Sequence, residues 1–161
     1  MRKYVAAAGL LLAATLPAVA ANGDLYLAAV STDNGEAWFV DGSTIRAAGA
    51  DRKTAVVFII RRGLQADFGR FDFDCKGNSV RQITLRHYEF GPTGAIVVRK
   101  DMPPEPEAAA ASGTLAGETL AYVCGAPGTL EKDRPIPKIS NDAAASALTL
   151  ARVFGKTFKE K

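Results

Sequence analysis

"FDFDC", Phe71 to Cys75, alternates strictly: two phenylalanines and a cysteine on one parity, two aspartates on the other. Successive side chains of a strand point to opposite faces, so Phe71, Phe73 and Cys75 are expected to line an apolar face while Asp72 and Asp74 meet water. The stretch therefore fixes both a β-strand and the position of a thiol on its packed side. Downstream, "KGNS" separates it from "VRQITLRHYEF", which predicts a hairpin. In that second run Ile83 and Leu85 lie on one parity and Tyr88 and Phe90 on the other, so a β-bulge near Arg86 or His87 is expected. "GPTG" then turns the chain into a sixth strand, "AIVVRKD".

Upstream the same grammar holds. "DLYLAAVS" runs into Asp33-Asn34-Gly35, a tight-turn signal, and "AWFVD" returns from it. "GSTIRAAGAD" reads as a turn, a short extended piece around Ile45 and a second turn. "KTAVVFIIRR" is apolar on both parities, Val56, Phe58 and Ile60 against Val57 and Ile59, which predicts a central strand covered on both sides. Short turns between six strands leave no room for the crossovers that parallel pairing needs, so a meander follows.

After the proline-bearing connection "MPPEPEAAAASG", the segment "TLAGETLAYVC" has helical features: Ser112 or Thr114 as cap, Glu118 in the first turns, Gly125 as terminator. A linker, "GAPGTLEKDRPIPKIS", precedes a second helical pattern with Asn141 as N-cap, Leu150, Phe154 and Phe158 at four-residue spacing, and Lys156, Lys159 and Lys161 near its end. That helix is expected to cover the sheet face carrying Val57 and Ile59, with docking on a partner or on a second copy of the chain as the alternative. The fold class is α+β: a six-stranded antiparallel meander, one short helix tethered to a face, and a C-terminal helix.

The chain opens "MRKYVAAAGLLLAATLPAVA", a basic start, an apolar core far shorter than a membrane span and an Ala-Val-Ala ending. This is the pattern of a cleaved signal peptide over residues 1–20. Its removal takes Arg2 and Lys3 and leaves the formal charge, +3 for the whole chain, close to neutral, so basicity gives no argument for nucleic acid. Ala21 stands where a lipoprotein would carry cysteine. The expectation is an exported protein of the periplasm, cell surface or medium, without lipid anchor. Two cysteines in an oxidising compartment, with no CxxC and one histidine in the chain, predict a single disulfide between Cys75 and Cys124 rather than a metal or redox site. In the chain-entropy description a loop of that length is worth roughly 4 kcal/mol. The bridge joins a strand to the end of the first helix.

Few residues suggest chemistry. His87 is the sole imidazole and no nucleophile is marked by motif beside it; an enzyme would need it beside a buried carboxylate in a cleft. Asp72 and Asp74 share a face with Arg70, which reads as a compensated, solvated surface. Arg61 and Arg62 are adjacent and therefore diverge. No cofactor, metal or catalytic residue is assigned, and the protein is read as non-enzymatic. Trp38, Phe39, Tyr88 and Phe90 are the aromatics that would form a binding surface if exposed, although core packing is their default.

The stretches "LYLAAVSTDNGEAWFVDGSTI", "FDFDC", "YEFGPTGAIV" and "GTLAGETLAYVC", in this order, resemble the surface-adhesin protein E family of bacterial envelope proteins over residues 21–125. The resemblance implies an antiparallel sheet with a disulfide-tethered helix, and binding to extracellular or envelope proteins. Residues 126–161, the linker and C-terminal helix, lie beyond it. A periplasmic inhibitor or small-ligand binder is the alternative; a flat aromatic sheet would favour adhesion, a protruding loop or deep pocket the alternative.

Overall fold

A computed structural model describes residues 24–125, 136–137 and 142–155. The signal segment, the Asn141 cap and the tail with Lys156, Phe158, Lys159 and Lys161 lie outside the described residues. Six antiparallel strands run as a meander: β1 (Asp24–Ser31), β2 (Glu36–Ala47), β3 (Arg52–Arg61), β4 (Gln65–Asp74), β5 (Ser79–Phe90) and β6 (Ile96–Met102). Two-residue strands extend the sheet at its margins, β7 (Ala108–Ala109) on β5 and β8 (Ile136–Pro137) on β1. The helices are α1 (Leu115–Cys124) and α2 (Ala143–Phe154).

Turn chemistry sets the meander. Gly35 adopts φ 62° between β1 and β2, where a side chain would also strike Arg62. Between β4 and β5 the Asp74 carboxylate accepts from the amides of Lys76 and Gly77, and Asn78 takes a left-handed φ of 52°. β2 runs straight through the segment expected to turn. Its pairing with β3 breaks only between Asp41 and Arg46, where buried Asp41 accepts from the Ser43 amide and hydroxyl and the Thr44 hydroxyl accepts from the Val56 amide. Side chains there satisfy what the ladder leaves open.

Strict alternation in β3 and β4 divides the core in two. Phe58 and Ile60, with Phe39, Ala66, Tyr88 and Phe90, pack beneath Ala147, Leu150 and Ala151 of α2. Val57 and Ile59, with Val40, Phe71 and Phe73, pack beneath Leu120, Tyr122 and Val123 of α1. The expected face assignment is thus corrected: Val57 and Ile59 belong to the α1 side, because they pair in register with Gly69 and Asp67 on the parity of Phe71 and Phe73. The bulge in β5 is also displaced from its expected place. Arg70 faces Thr84 and Phe71 faces Gln82, so the extra residue is Ile83.

α1 is capped by Thr114, whose hydroxyl accepts from the Gly117 amide, while Glu118 accepts from the Gly113 amide. Its last turn carries no basic residue of its own. Lys53, on β3, supplies the charge instead and donates to the carbonyls of Val123, Cys124 and Gly125 at 3.0, 3.3 and 3.4 Å. Beside it Cys75 and Cys124 form the expected disulfide, with Cα atoms 5.5 Å apart. α2 is capped by Asp142, which accepts from the Ala144 amide, one position beyond the expected cap. At its far end Arg152 donates to the Thr93 carbonyl of the β5–β6 turn. No helix among the described residues is long and apolar enough to cross a membrane.

Candidate functional site

Each helix covers only part of its face. α1 runs from the β1–β2 hairpin, whose residues Ala29–Asn34 share a hollow with Gly113–Glu118, to the Cys75 turn. Among the described residues this leaves the corner formed by β3 to β6 uncovered by a helix on the α1 side. On the other side α2 sits over the end marked by Phe58, Ile60 and Phe90, leaving the Arg52–Asp72 end bare. Both bare corners carry polar networks centred on an aspartate.

At the first corner Asp67 is only 2% exposed. Its carboxylate is paired with Arg61 and lies 2.6 Å from His87 Nδ1. The other ring nitrogen, Nε2, is 3.3 Å from Glu89 Oε1. Arg61 also reaches Glu36, at 3.6 Å, and Glu36 accepts from the Trp38 indole N–H at 2.5 Å. Pairing explains the assembly: Asp67 stands opposite His87 in one ladder and Ile59 in the next, and Arg61 stands opposite Glu36, all on the α1-side parity. A groove of about 460 Å³ opens beside them, walled by Val98, Lys100 and Met102 of β6 and closed by Glu105.

The His87–Asp67 pair is the feature an enzyme would need, and it is present. Among the described residues that line the groove there is no serine, threonine or cysteine, and the Asp67 carboxylate is shared with an arginine. The arrangement fixes the imidazole and offers charges of both signs to a ligand. No cluster of three or more metal-ligating side chains exists among the described residues.

The opposite corner is closed on itself. Asp72, expected in water, is 5% exposed and held by Arg52 at 3.0 Å and Arg81 at 2.7 Å. Arg52 also bridges Asp74 and Glu107, and Glu107 accepts from the Ser79 hydroxyl. Burial works to raise the Asp72 carboxyl, but the hydrogen bonds from Arg52 and Arg81 outweigh it and hold the group below the usual carboxylate range. The long arginine side chains fold over the carboxylate, which alternation alone does not reveal. Arg70 does remain exposed. Arg61 and Arg62 diverge as expected, Arg62 donating to the Asp33 carbonyl.

Of the four candidate recognition aromatics, Phe39, Tyr88 and Phe90 are buried beneath α2 and present no surface. Trp38 lies on the other side, half-buried between Phe71 and the Glu36 carboxylate. Exposed apolar surface lies elsewhere, on β6. Among the described residues this strand ends the sheet, all seven of its residues are exposed, and Ile96, Val97, Val98 and Met102 are its large apolar members. Val97 is 63% exposed. The stretch that follows is treated differently: Pro103, Pro104 and Pro106 offer no N–H, Gln82 donates to the Pro103 carbonyl, and β7 returns the chain to β5. The signal for this site was "AIVVRKD" itself, an aliphatic run at the end of a meander with no further strand to cover it.

Comparison with protein-family models, with characterised proteins and with solved structures finds no match to this chain.

Proposed function

We propose that the protein is an exported, non-enzymatic protein-binding module, of the kind that its resemblance to surface-adhesin protein E implies, and that it binds through β6 and the adjoining groove. The observation that carries this reading is the open edge: seven exposed residues that, among the described residues, have a neighbouring strand on one side only, beside a groove walled by Val98, Lys100 and Met102. Export rests on the signal pattern of residues 1–20 and agrees with a disulfide between Cys75 and Cys124. The groove volume favours one second reading, a periplasmic binder of a small charged ligand.

The test is the double variant Ile96→Lys/Val97→Lys. Both side chains are exposed, so the thermal midpoint is expected to move by no more than a few degrees. Proteins of the host envelope retained by the immobilised wild-type chain are expected to be lost from the variant. Retention of the same proteins by both forms would sink the reading of β6 as the binding element. Binding of a small charged molecule that survives the β6 change and is lost on Arg61→Ala would favour the second reading.

A further inference from the structure

We infer that the α2 side of the sheet carries a second site, a diagonal file of arginines that binds a linear sulfated polysaccharide. The file lies on the opposite face from the Asp67 groove and does not depend on reading β6 as a binding edge.

The file follows from register. Arg70 pairs with Thr84 and Phe68 with Arg86, so Arg86 stands one strand across from Arg70 and two residues along. Arg86 pairs with Asp101 and Tyr88 with Arg99, so Arg99 repeats the same step on β6. Strand spacing and rise make each step about 8 Å between Cα atoms. Arg46 extends the file at its other end: it pairs with Thr54, which pairs with Asp72, the next residue after Arg70 on this face. All four arginines share the parity of Phe58 and Phe68, and Arg46, Arg70 and Arg99 are exposed.

These arginines differ from their neighbours in having nothing to hold. Arg52 and Arg81, on the same face, close over Asp72. The guanidiniums of Arg70 and Arg99 make no hydrogen bond or ion pair among the described residues, and Arg46 reaches only the carbonyl of adjacent Ile45. Arg86 is paired with Asp101, a carboxylate that is itself 70% exposed. Beside Arg86 a hollow of about 400 Å³ opens over half-buried Phe68 and exposed Thr84, an apolar floor for the C–H face of a sugar ring. Guanidiniums match sulfate and carboxylate oxygens, and evenly stepped ones match a polymer with an anion on each repeat. An acidic peptide would bring as many backbone donors as acceptors to a file that offers mainly donors. A single-stranded nucleic acid would need exposed aromatics to stack on, and Tyr88 and Phe90 are buried beneath α2.

The probe is a fluorescent, size-defined heparin oligosaccharide, titrated with the mature, disulfide-intact chain at about 0.15 M salt. Binding in the micromolar range is expected, with log affinity falling against log salt at a slope of about −2 to −3, one counterion for each unpaired arginine. Arg70→Ser and Arg99→Ser stand far enough apart to act independently, so each should weaken binding about threefold and the pair about tenfold. Lys76→Ser removes the same charge from the exposed β4–β5 turn, off the file, and should leave the affinity unchanged. Asp101→Asn frees the Arg86 guanidinium and should tighten binding about threefold.

No binding at that salt would overturn the site. An equal loss in Lys76→Ser would overturn it too, because net charge rather than the file would then hold the polymer. Displacement of the probe by poly-L-glutamate or by a single-stranded oligonucleotide, as effective as displacement by unlabelled heparin, would overturn the polysaccharide as occupant. Loss in the two file variants, gain in Asp101→Asn and displacement by heparin alone together support it.

Discussion

The two bare corners of the sheet are built from the same parts and finish in opposite states. Each has a buried aspartate on a ladder and two nitrogen-bearing partners, Arg52 and Arg81 for Asp72, Arg61 and His87 for Asp67. At Asp72 the guanidiniums lie across the carboxylate, Glu107 comes from the returning chain, and the neighbouring segment is proline-rich and fastened by Gln82. At Asp67 the ring of His87 leaves one nitrogen toward Glu89, a groove remains, and the neighbouring strand is a bare apolar edge. One network ends a surface and the other borders one. Charge pairing at a sheet corner therefore does not mark a site; what the next strand leaves uncovered does.

The comparison can be broken most forcefully at the bridge that holds α1 over its half of the face. Cys75→Ala/Cys124→Ala should cost roughly 4 kcal/mol of unfolding free energy. Amide exchange should accelerate across α1 more than across α2, which no covalent link restrains. Equal acceleration in both helices would mean that the bridge stabilises the chain without positioning α1.

Asp72→Asn comes next, at about 2 kcal/mol near neutral pH, a value discounted because both arginines are partly exposed. The sign of its pH dependence follows from its lowered carboxyl. Its contribution is complete above the unfolded value of about 3.9 and is lost as pH falls through the lower folded value. Urea midpoints measured from pH 7 down to pH 2 should therefore converge for wild type and Asp72→Asn at the acid end. Asp67→Asn keeps the shape of its corner and one acceptor for Arg61, and should cost about 1 kcal/mol. It should displace the His87 ring resonances while leaving those of α2 unchanged. Ile96→Lys/Val97→Lys should change stability by less than about 0.5 kcal/mol, the smallest effect of the set, and yet remove binding.

Much of the fold was legible because turn chemistry and alternation act locally. Asp33-Asn34-Gly35, "KGNS" and "GPTG" mark hairpins by the conformations they permit, and Phe71, Phe73 and Cys75 share a face because a strand has period two. Two cysteines leave one possible pairing. The errors came where long-range register decides. Ile83 takes the bulge because Val80 of β5 shares a side with Phe71 and Phe73 of β4 while Tyr88 and Phe90 face the other, a constraint that exists only once two strands are paired. Val57 and Ile59 lie under α1 rather than α2, a choice the sequence does not make because periodicity separates two faces without saying which helix covers either.

The site was less legible than the fold. Asp72 reads as solvated in the sequence because Arg52 and Arg81 reach it only once β3, β4 and β5 are paired, and Asp67 gives no signal because Arg61 and His87 meet it only across the two hairpins. Phe39, Tyr88 and Phe90 lie on parities that α2 covers, so aromatic content pointed to the core rather than to a surface. Edge position is a property of strand order, so "AIVVRKD" carries its signal only through its place as the last long strand of the meander.

The most direct measurement places a photo-crosslinking residue at Val97 on β6 and, separately, at Val153 on α2, which is 56% exposed and is the rival apolar patch. Irradiation of the native host should yield discrete protein adducts from Val97 and none above background from Val153. Adducts from Val153 with none from Val97 would contradict the account, and would move recognition from the open edge to the C-terminal helix.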